Sequence, residues 1–246
     1  MNGAAPNTDD APRVHRDVVS FVRRSARMRP PQRRAWDEHH DRLVLEVPRR
    51  ETSTSVHPEA RLDLRESFGR SAPLIVEIGP GPGESLVPMA RARPEANVLA
   101  FEVYQPAIAQ ILGSLAAAGV ENVRLISADA VAGMTHLLPP ASVAELWTFF
   151  PDPWPKARHH KRRLLNAAFV ELAVSRLEPG GRWRLATDWT DYAEAIRAAL
   201  DDHPELIPDH ERDWAPRPPD RPLTRFERRG LAAGRVVHDL SYRRAG

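Results

Sequence analysis

The stretch Leu74-Ile-Val-Glu-Ile-Gly-Pro-Gly-Pro-Gly-Glu-Ser85 decides the fold of this chain of 246 residues. Its first five residues are mostly apolar, which predicts a buried strand. Gly79, Gly81 and Gly83 follow at every second position and predict a tight loop whose backbone a ligand can approach closely. We expect a helix to begin after the loop. The stretch therefore predicts the first strand–loop–helix unit of an α/β domain.

Strands and helices alternate along the chain that follows this stretch. Further strands are predicted at Val98–Val103, Val123–Ile126, Leu146–Phe150 and Trp183–Ala186. Helices are predicted near Glu84–Arg93, Pro106–Ala118, Val131–Leu138, Arg163–Leu177 and Asp191–Leu200. Strict alternation of this kind indicates a doubly wound, mostly parallel sheet that helices cover on both faces.

The two ends of the chain have weaker patterns. A short strand is possible at Leu43–Val47, and the proline-rich chain after His203 predicts an irregular insertion followed by a weak strand at Arg235–Tyr242. Residues 13–34 carry eight arginines against one acid, which indicates a polyanionic partner. We expect a flexible leader and basic arm over residues 1–38 and a single domain over residues 39–246.

Composition excludes several functions. The chain has no cysteine, so it cannot form a disulfide, a thiolate metal site or a cysteine nucleophile. No apolar run approaches the ~18 residues that a membrane span needs, and the first residues do not resemble a secretory signal. His159 and His160 are adjacent and therefore face apart, which argues against a metal site. We expect a cytoplasmic protein with neither metal nor membrane contact.

Three acids lie at the carboxyl ends of successive predicted strands, and they indicate the ligand. The glycine loop lacks the Gly-x-Gly-x-x-Gly spacing of dinucleotide-binding proteins. Glu77 lies in the first strand, Glu102 ends the second, and Asp129 follows the third. The carboxyl ends of parallel strands form one crevice, where an acid such as Glu102 can accept both hydroxyls of a ribose. We therefore expect a nucleoside-type cofactor.

The pattern Glu-x-Gly-x-Gly-x-Gly resembles the first motif of S-adenosylmethionine-dependent methyltransferases. This resemblance implies a Rossmann-like fold of the class I methyltransferase type, with S-adenosyl-L-methionine as cofactor. It places Asp129 at the adenine edge. Carboxylates also suit the ammonium, the ribose diol and the exocyclic amine of that cofactor. Polyamine synthases share this architecture, so decarboxylated relatives of the cofactor stay open at this point.

The loop after the fourth strand reads Pro151-Asp-Pro-Trp-Pro-Lys-Ala-Arg-His-His-Lys-Arg-Arg163. A strand that stops at an Asp between two prolines predicts a rigid loop, which we expect to bury Asp152 in the crevice. The loop resembles the signature of bacterial tRNA (guanine-N7-)-methyltransferases. Thr187-Asp-Trp189, Arg221-Pro-Leu-Thr-Arg-Phe-Glu-Arg-Arg-Gly230 and the basic arm from Ser20 also resemble that family, so the likeness extends from about Ser20 to Tyr242.

The resemblance implies specific roles for the site residues. Asp152 would be catalytic and would also contact the cofactor, together with Glu77, Gly79, Gly81, Gly83, Glu102 and Asp129. Substrate-binding positions would be Lys156, Asp188, Thr224, Arg225, Phe226 and Glu227. Contacts to RNA would come from Arg158, His159, His160, Lys161, Arg162 and Arg163. The expected target is the guanine at position 46 of the tRNA variable loop, and the expected state is a monomer or small homo-oligomer.

Other functions share part of this evidence. A small-molecule methyltransferase or a polyamine synthase would have the glycine loop but would not need the cationic loop. A noncatalytic RNA-binding protein, or a methyltransferase for another RNA, would explain the cations. A pyrimidine C5-methyltransferase needs a cysteine nucleophile and is excluded.

Only two of the 35 basic residues are lysines, and both, Lys156 and Lys161, lie in the cationic loop. Trp154 could pack within that loop or stack on a base, whereas Met89 and Phe169 are expected in the core.

Overall fold

The computed structural model describes residues 27–246. The described strands are β1 (Leu74–Ile78), β2 (Asn97–Phe101), β3 (Val123–Ile126), β4 (Val143–Phe149), β5 (Leu177–Thr187), β6 (Leu206–Pro208) and β7 (His238–Arg244). The described helices are α1 (Pro30–Leu43), α2 (Leu64–Phe68), α3 (Leu86–Arg91), α4 (Gln105–Ala118), α5 (Ala130–Leu137), α6 (Ala167–Arg176), α7 (Thr190–Asp201) and α8 (Arg225–Ala232). A 3₁₀ helix spans Ala157–Arg162.

The described strands form one sheet in the order β3-β2-β1-β4-β5-β7-β6. β1 to β5 are parallel, and β7 runs antiparallel to both β5 and β6. The direction of winding reverses between β1 and β4, which makes their carboxyl ends the switch point where doubly wound sheets hold ligands. The predicted α/β, doubly wound, mostly parallel architecture is confirmed.

Two apolar layers enclose the sheet. Every residue of β1 and β2 is buried, because helices cover both faces. One layer packs α1, α3 and α4 against the sheet, and the other packs α5, α6 and α7 against it. Met89 and Phe169 are buried in these layers, which confirms their assignment to the core.

The structure corrects the expectation of a strand at Leu43–Val47. Leu43 is the last residue of α1, and Val44 forms only an isolated bridge with Leu125. Pro48 has no amide hydrogen to extend a ladder. The helix α1 also crosses the expected boundary after residue 38, because it packs along α4 and Gln32 Nε2 donates to the Pro106 carbonyl at 2.8 Å. Residues 1–26 of the expected arm lie outside the described part of the chain.

The chain after His203 is more regular than predicted. It contributes β6, α8 and β7, and β7 begins at His238 rather than Arg235. The helix expected from Arg163 begins only at Ala167, because Asn166 Oδ1 accepts the Phe169 amide at 3.1 Å and caps it. The longest described helices, α1 and α4, have 14 residues each, so none of the described helices could span a membrane.

Candidate functional site

A cavity of about 800 Å³ opens at the carboxyl ends of β1, β2 and β4. It lies at the switch point of the sheet, where ligands of this architecture bind. Of the residues expected to bind the cofactor, six line it: Glu77, Gly79, Gly81, Glu102, Asp129 and Asp152. Thr224, Arg225 and Phe226 line it at the start of α8. Gln32 of α1 also lines it, together with Arg27 and Arg29, which precede that helix.

The glycine loop needs its glycines for two different reasons. Gly79 and Gly81 have φ values of 63° and 57°, a left-handed conformation that favours glycine, and both face the cavity. Gly83 has a φ of 79° but does not line the cavity. A Cβ atom at Gly83 would approach the Ile111 side chain to 2.8 Å. Gly83 therefore allows the loop to pack against α4, and its expected cofactor contact stays a prediction.

Glu102 is held in one orientation beside this loop. Its Oε2 accepts the Gly81 amide at 3.0 Å, and its Oε1 accepts the Tyr104 amide at 2.9 Å. The side chain is buried but lines the cavity. These two backbone contacts fix the direction in which the carboxylate faces the cavity. Glu102 is therefore a preorganised acceptor at the end of β2.

Glu77 is the most deeply buried acid of the cavity. Its Oε2 has no hydrogen-bond partner among the described residues. Burial, followed by the negative charge of Glu102, raises the pKa of Glu77 to about 8. A buried, unpartnered carboxyl beside a second carboxyl favours a cationic ligand group. The pair thus fits the ammonium of the expected cofactor.

Asp129 lies between the cavity and α5. Its Oδ1 accepts the Ala132 amide at 3.1 Å and caps the helix. Desolvation raises the pKa of Asp129, although hydrogen bonds from the amides of Ala132 and Val131 oppose this shift. One role of the carboxylate is thus structural. The cavity face of Asp129 remains suited to the exocyclic amine that the sequence resemblance places there.

Asp152 lies at the mouth of the cavity and is exposed, so the expectation that it is buried is wrong. The chain leaves β4 through Phe150, whose φ of 52° is in the left-handed region that few residues other than glycine adopt. Trp154 has a φ of 44°, and the Arg162 guanidinium lies 3.8 Å from its ring centroid. Of the two roles open for Trp154, packing within the loop is the one that the structure shows.

The expected RNA-binding cations differ in exposure. Lys156, Arg158 and Lys161 are exposed on and beside the 3₁₀ helix. Arg163 is buried: its Nε donates to the Pro153 carbonyl at 2.9 Å and its Nη2 donates to Asp191 at 2.6 Å. Arg163 therefore braces the loop. Neither Lys156 nor Arg163 lines the cavity, and their expected contacts stay predictions.

Two expected substrate residues are engaged in buried ion pairs outside the cavity wall. Asp188 Oδ2 lies 2.7 Å from Arg235 Nε. Glu227 is 1% exposed and pairs with Arg221 at 2.8 Å and with Arg217 at 3.2 Å. For either acid to contact a base, it would have to exchange or share its arginine partner.

Sequence reasoning missed Arg221 as a site residue. It is 1% exposed, and it pairs with Asp239 at 3.1 Å as well as with Glu227. Its guanidinium also lies 5.4 Å from the ring centroid of Phe150, which in turn packs 5.3 Å from Phe226. A buried arginine leaves no periodic signal. The Thr224-x-x-Glu227 spacing, in contrast, is that of a helix start, and Thr224 Oγ1 does accept the Glu227 amide at 3.1 Å.

The described residues include side chains of the types that bind metal ions. Among residues 27–246, no group of three or more His, Cys, Asp or Glu side chains is arranged to hold a metal ion. His159 lies edge-on to Trp154 at 6.0 Å between ring centroids. Desolvation is the largest effect that lowers the pKa of His159. The positive charges of four neighbours lower it further: Arg158, Arg162, Lys156 and Lys161.

Comparisons with known proteins identify the family of this chain. A family model described as "Putative methyltransferase" matches residues 71–240. A tRNA (guanine-N(7)-)-methyltransferase of Cutibacterium acnes is 54% identical over 234 residues, covering 94% of this chain and 85% of the relative. Relatives of the same name from Nocardioides sp. (49% identity; 94% and 89% covered) and Halorhodospira halophila (43%; 93% and 95%) also match.

A solved structure of the 16S rRNA methyltransferase KamB superposes with a TM-score of 0.48 at 20% identity, covering 73% of this chain and 91% of that one. The family model covers more than half of the chain, and the sequence relatives match it almost from end to end. This chain therefore belongs to the tRNA (guanine-N7-)-methyltransferase family.

Proposed function

We propose that this chain transfers the methyl group of S-adenosylmethionine to N7 of a guanine in tRNA, at position 46 of the variable loop. The observation that carries the proposal is one cavity at the switch point of the sheet, whose wall includes the four acids expected to bind the cofactor: Glu77, Glu102, Asp129 and Asp152. Membership of the family supports the reaction. We further propose that the protein acts in the cytoplasm, where tRNA is its partner.

The residues present fit the cofactor group by group. Glu77 offers an unpartnered buried oxygen to the ammonium, and Glu102 offers a preorganised carboxylate to the ribose hydroxyls. Asp129 offers an acceptor to the exocyclic amine of the adenine. Gly79 and Gly81 have no side chain, so the ligand can lie close to the backbone of the loop. When bound, S-adenosylmethionine supplies a methyl group on a positively charged sulfur. The chain's part is to hold this group in line with the incoming nitrogen.

Guanine N7 carries a lone pair and no proton, so the site needs no general base. As N7 becomes methylated the purine gains positive charge, which a fixed carboxylate stabilises. Asp152 is our candidate for this role, because it lies on the cavity wall at the exposed mouth that a base on a large RNA can reach. Phe226, which is 51% exposed, and Phe150 flank the same mouth and offer aromatic faces to the base.

The RNA backbone would meet cations on both sides of the mouth. Arg158 and Lys161 are exposed beside the Asp152 loop, and Arg229 is exposed on α8 at the cavity wall. Lysine and arginine side chains of this kind contact phosphates. His159 and His160 are half-buried in the same 3₁₀ helix and are proposed to support these contacts. The proposed state is a monomer or small homo-oligomer.

Glu102→Ala is expected to weaken the binding of S-adenosylhomocysteine by roughly 1–3 kcal/mol, because charge-assisted bonds to the ribose are lost. The measurement is isothermal titration calorimetry at neutral pH. Glu178→Ala removes an exposed acid away from the cavity and serves as the control. Unchanged affinity in a folded Glu102 variant would remove this residue from the cofactor site.

The binding of tRNA is expected to weaken steeply with salt, whereas the binding of S-adenosylhomocysteine should barely respond. Replacing Arg158 and Lys161 together by glutamate should reduce the slope of log affinity against log salt by about 1–2, since each phosphate contact contributes roughly 0.7–0.9. Filter binding at several salt concentrations measures this slope. The control replaces Arg65 and Arg91, which are exposed on α2 and α3. Equal slopes for both double variants would show that the 3₁₀ helix does not contact RNA.

The proposed reaction is tested by incubating the protein with bulk undermodified tRNA and methyl-labelled S-adenosylmethionine. Nuclease digestion and chromatography then identify the labelled nucleoside. We expect 7-methylguanosine. Label in another nucleoside, or label in small molecules but none in tRNA, would contradict the proposal.

A further inference from the structure

A contact between Glu84 and Arg225 joins the proposed cofactor side of the cavity wall to its proposed substrate side. Glu84 follows the glycine loop, and Arg225 is the first residue of α8, 141 positions later. The Glu84 carboxylate accepts hydrogen bonds from the Arg225 guanidinium at 3.1 and 3.2 Å, and its Oε2 also accepts the Arg225 backbone amide. Both residues line the cavity. The contact therefore joins the two halves of the site directly.

The backbone part of this contact gives it a structural consequence. The first amides of a helix have no partner within the helix, and an anion there is stabilised by the helix dipole. Thr224 Oγ1 satisfies the Glu227 amide, and Glu84 satisfies the Arg225 amide. The backbone hydrogen bond from Arg225 is the largest cause that lowers the pKa of Glu84. The start of α8 thus depends on an ionised side chain from the glycine loop.

The two segments that Glu84 joins have different tasks in the proposed reaction. On one side, the Gly81 amide donates a hydrogen bond to Glu102 at 3.0 Å, so a ligand that displaced the Glu102 side chain would also displace the loop. On the other side, Thr224 and Phe226 line the cavity where the base is proposed to enter. A shift of the loop on cofactor binding would therefore move the start of α8.

We propose that Glu84 is a positioning residue that couples the cofactor to tRNA: with the cofactor bound, its contact to Arg225 sets α8 in the conformation that receives the target guanine. This inference rests on the proposed function. It requires that the cofactor and tRNA each increase the affinity of the protein for the other by the same factor. If the ion pair has no role in coupling, the affinity for the cofactor and the affinity for tRNA should be independent of each other.

The test measures the affinity for tRNA with and without saturating S-adenosylhomocysteine, in the parent protein and in three variants. Glu84→Ala removes both parts of the contact, whereas Arg225→Ala keeps the backbone hydrogen bond. Glu95→Ala is the matched control, because Glu95 is exposed at the amino end of β2, on the opposite edge of the sheet. Melting curves establish that each variant is folded.

We expect the cofactor analogue to strengthen tRNA binding at least fivefold in the parent and in Glu95→Ala. This factor should fall to about one in Glu84→Ala and to an intermediate value in Arg225→Ala. The affinity of each variant for the analogue alone is measured as well, and the coupling factor is compared only at saturating analogue. If Glu84→Ala does not fold, Glu84→Gln keeps an acceptor for the Arg225 amide without its charge and should retain only part of the factor.

A parent protein without coupling, or a Glu84 variant with the parent's coupling, would overturn the inference while leaving the proposed methylation intact. A parent that binds neither the analogue nor tRNA would overturn the proposed function, and this inference with it. Hydrogen exchange adds a structural readout: the analogue should protect the amides of residues 225–228 in the parent but not in Glu84→Gln. Equal protection in both proteins would contradict the proposed role.

Discussion

Replacing Asp152 with asparagine is expected to slow methyl transfer about 10²–10³-fold, the usual loss when one preorganised electrostatic group is removed. Asparagine keeps the shape of the side chain but not its charge, so the methylated purine loses its stabilising carboxylate. The melting temperature should not change, because Asp152 is exposed and lies in a loop that Arg163 braces independently.

The measurement is single-turnover methylation of tRNA at saturating cofactor, beside a melting curve. Asp202→Asn is the control, since Asp202 is an exposed acid at the end of α7. If Asp152 only caps the loop between its two prolines, asparagine should replace it well, because both side chains accept hydrogen bonds. Parent-like turnover in the asparagine variant would therefore remove Asp152 from the catalytic role.

Replacing Arg221 with alanine is expected to lower the free energy of unfolding by about 3–5 kcal/mol, because it leaves two buried acids without their shared cation. Those acids are Glu227 and Asp239, paired with Arg221 at 2.8 and 3.1 Å. Burial already raises the pKa of Asp239, while the nearby Arg221 opposes this shift. The variant should also disturb the start of α8, where Glu227 is anchored.

Urea unfolding measures this loss. Arg243→Ala is the matched control: Arg243 pairs with Asp209 at 3.2 Å but is 46% exposed, and exposed pairs contribute only about 0–1 kcal/mol. Replacing Arg221, Glu227 and Asp239 together by apolar residues should recover part of the stability, since no charge is then left buried. Equal losses for Arg221→Ala and Arg243→Ala would show that the buried cluster has no special weight.

The sheet could be predicted because its signals are local. Buried parallel strands appear as short apolar runs, and β1 and β3 occupy the residues that those runs predict. The carboxyl ends of strands also share one edge, so Glu77, Glu102 and Asp129 could be expected around one cavity before their contacts were known. In the structure, these three acids all line the wall of the cavity.

The orientation of other side chains could not be predicted, because it depends on contacts between distant segments. The sequence around Asp152 does not show that Phe150 has a left-handed backbone or that Asp152 is exposed. A run of cations does not reveal that Arg163 lies against Tyr192 while Lys161 faces solvent. The pairing of Glu84 with Arg225 likewise depends on how α8 returns to the glycine loop.

Methyl transfer to guanine N7 is tested most directly with two tRNA transcripts that differ by one ring atom of one base. One carries guanine at position 46, and the other carries 7-deazaguanine there, in which a carbon replaces N7. We expect the protein to methylate the first transcript and to incorporate no methyl group into the second, although both bind with similar affinity. Equal methylation of the two transcripts would contradict transfer to guanine N7 at this position.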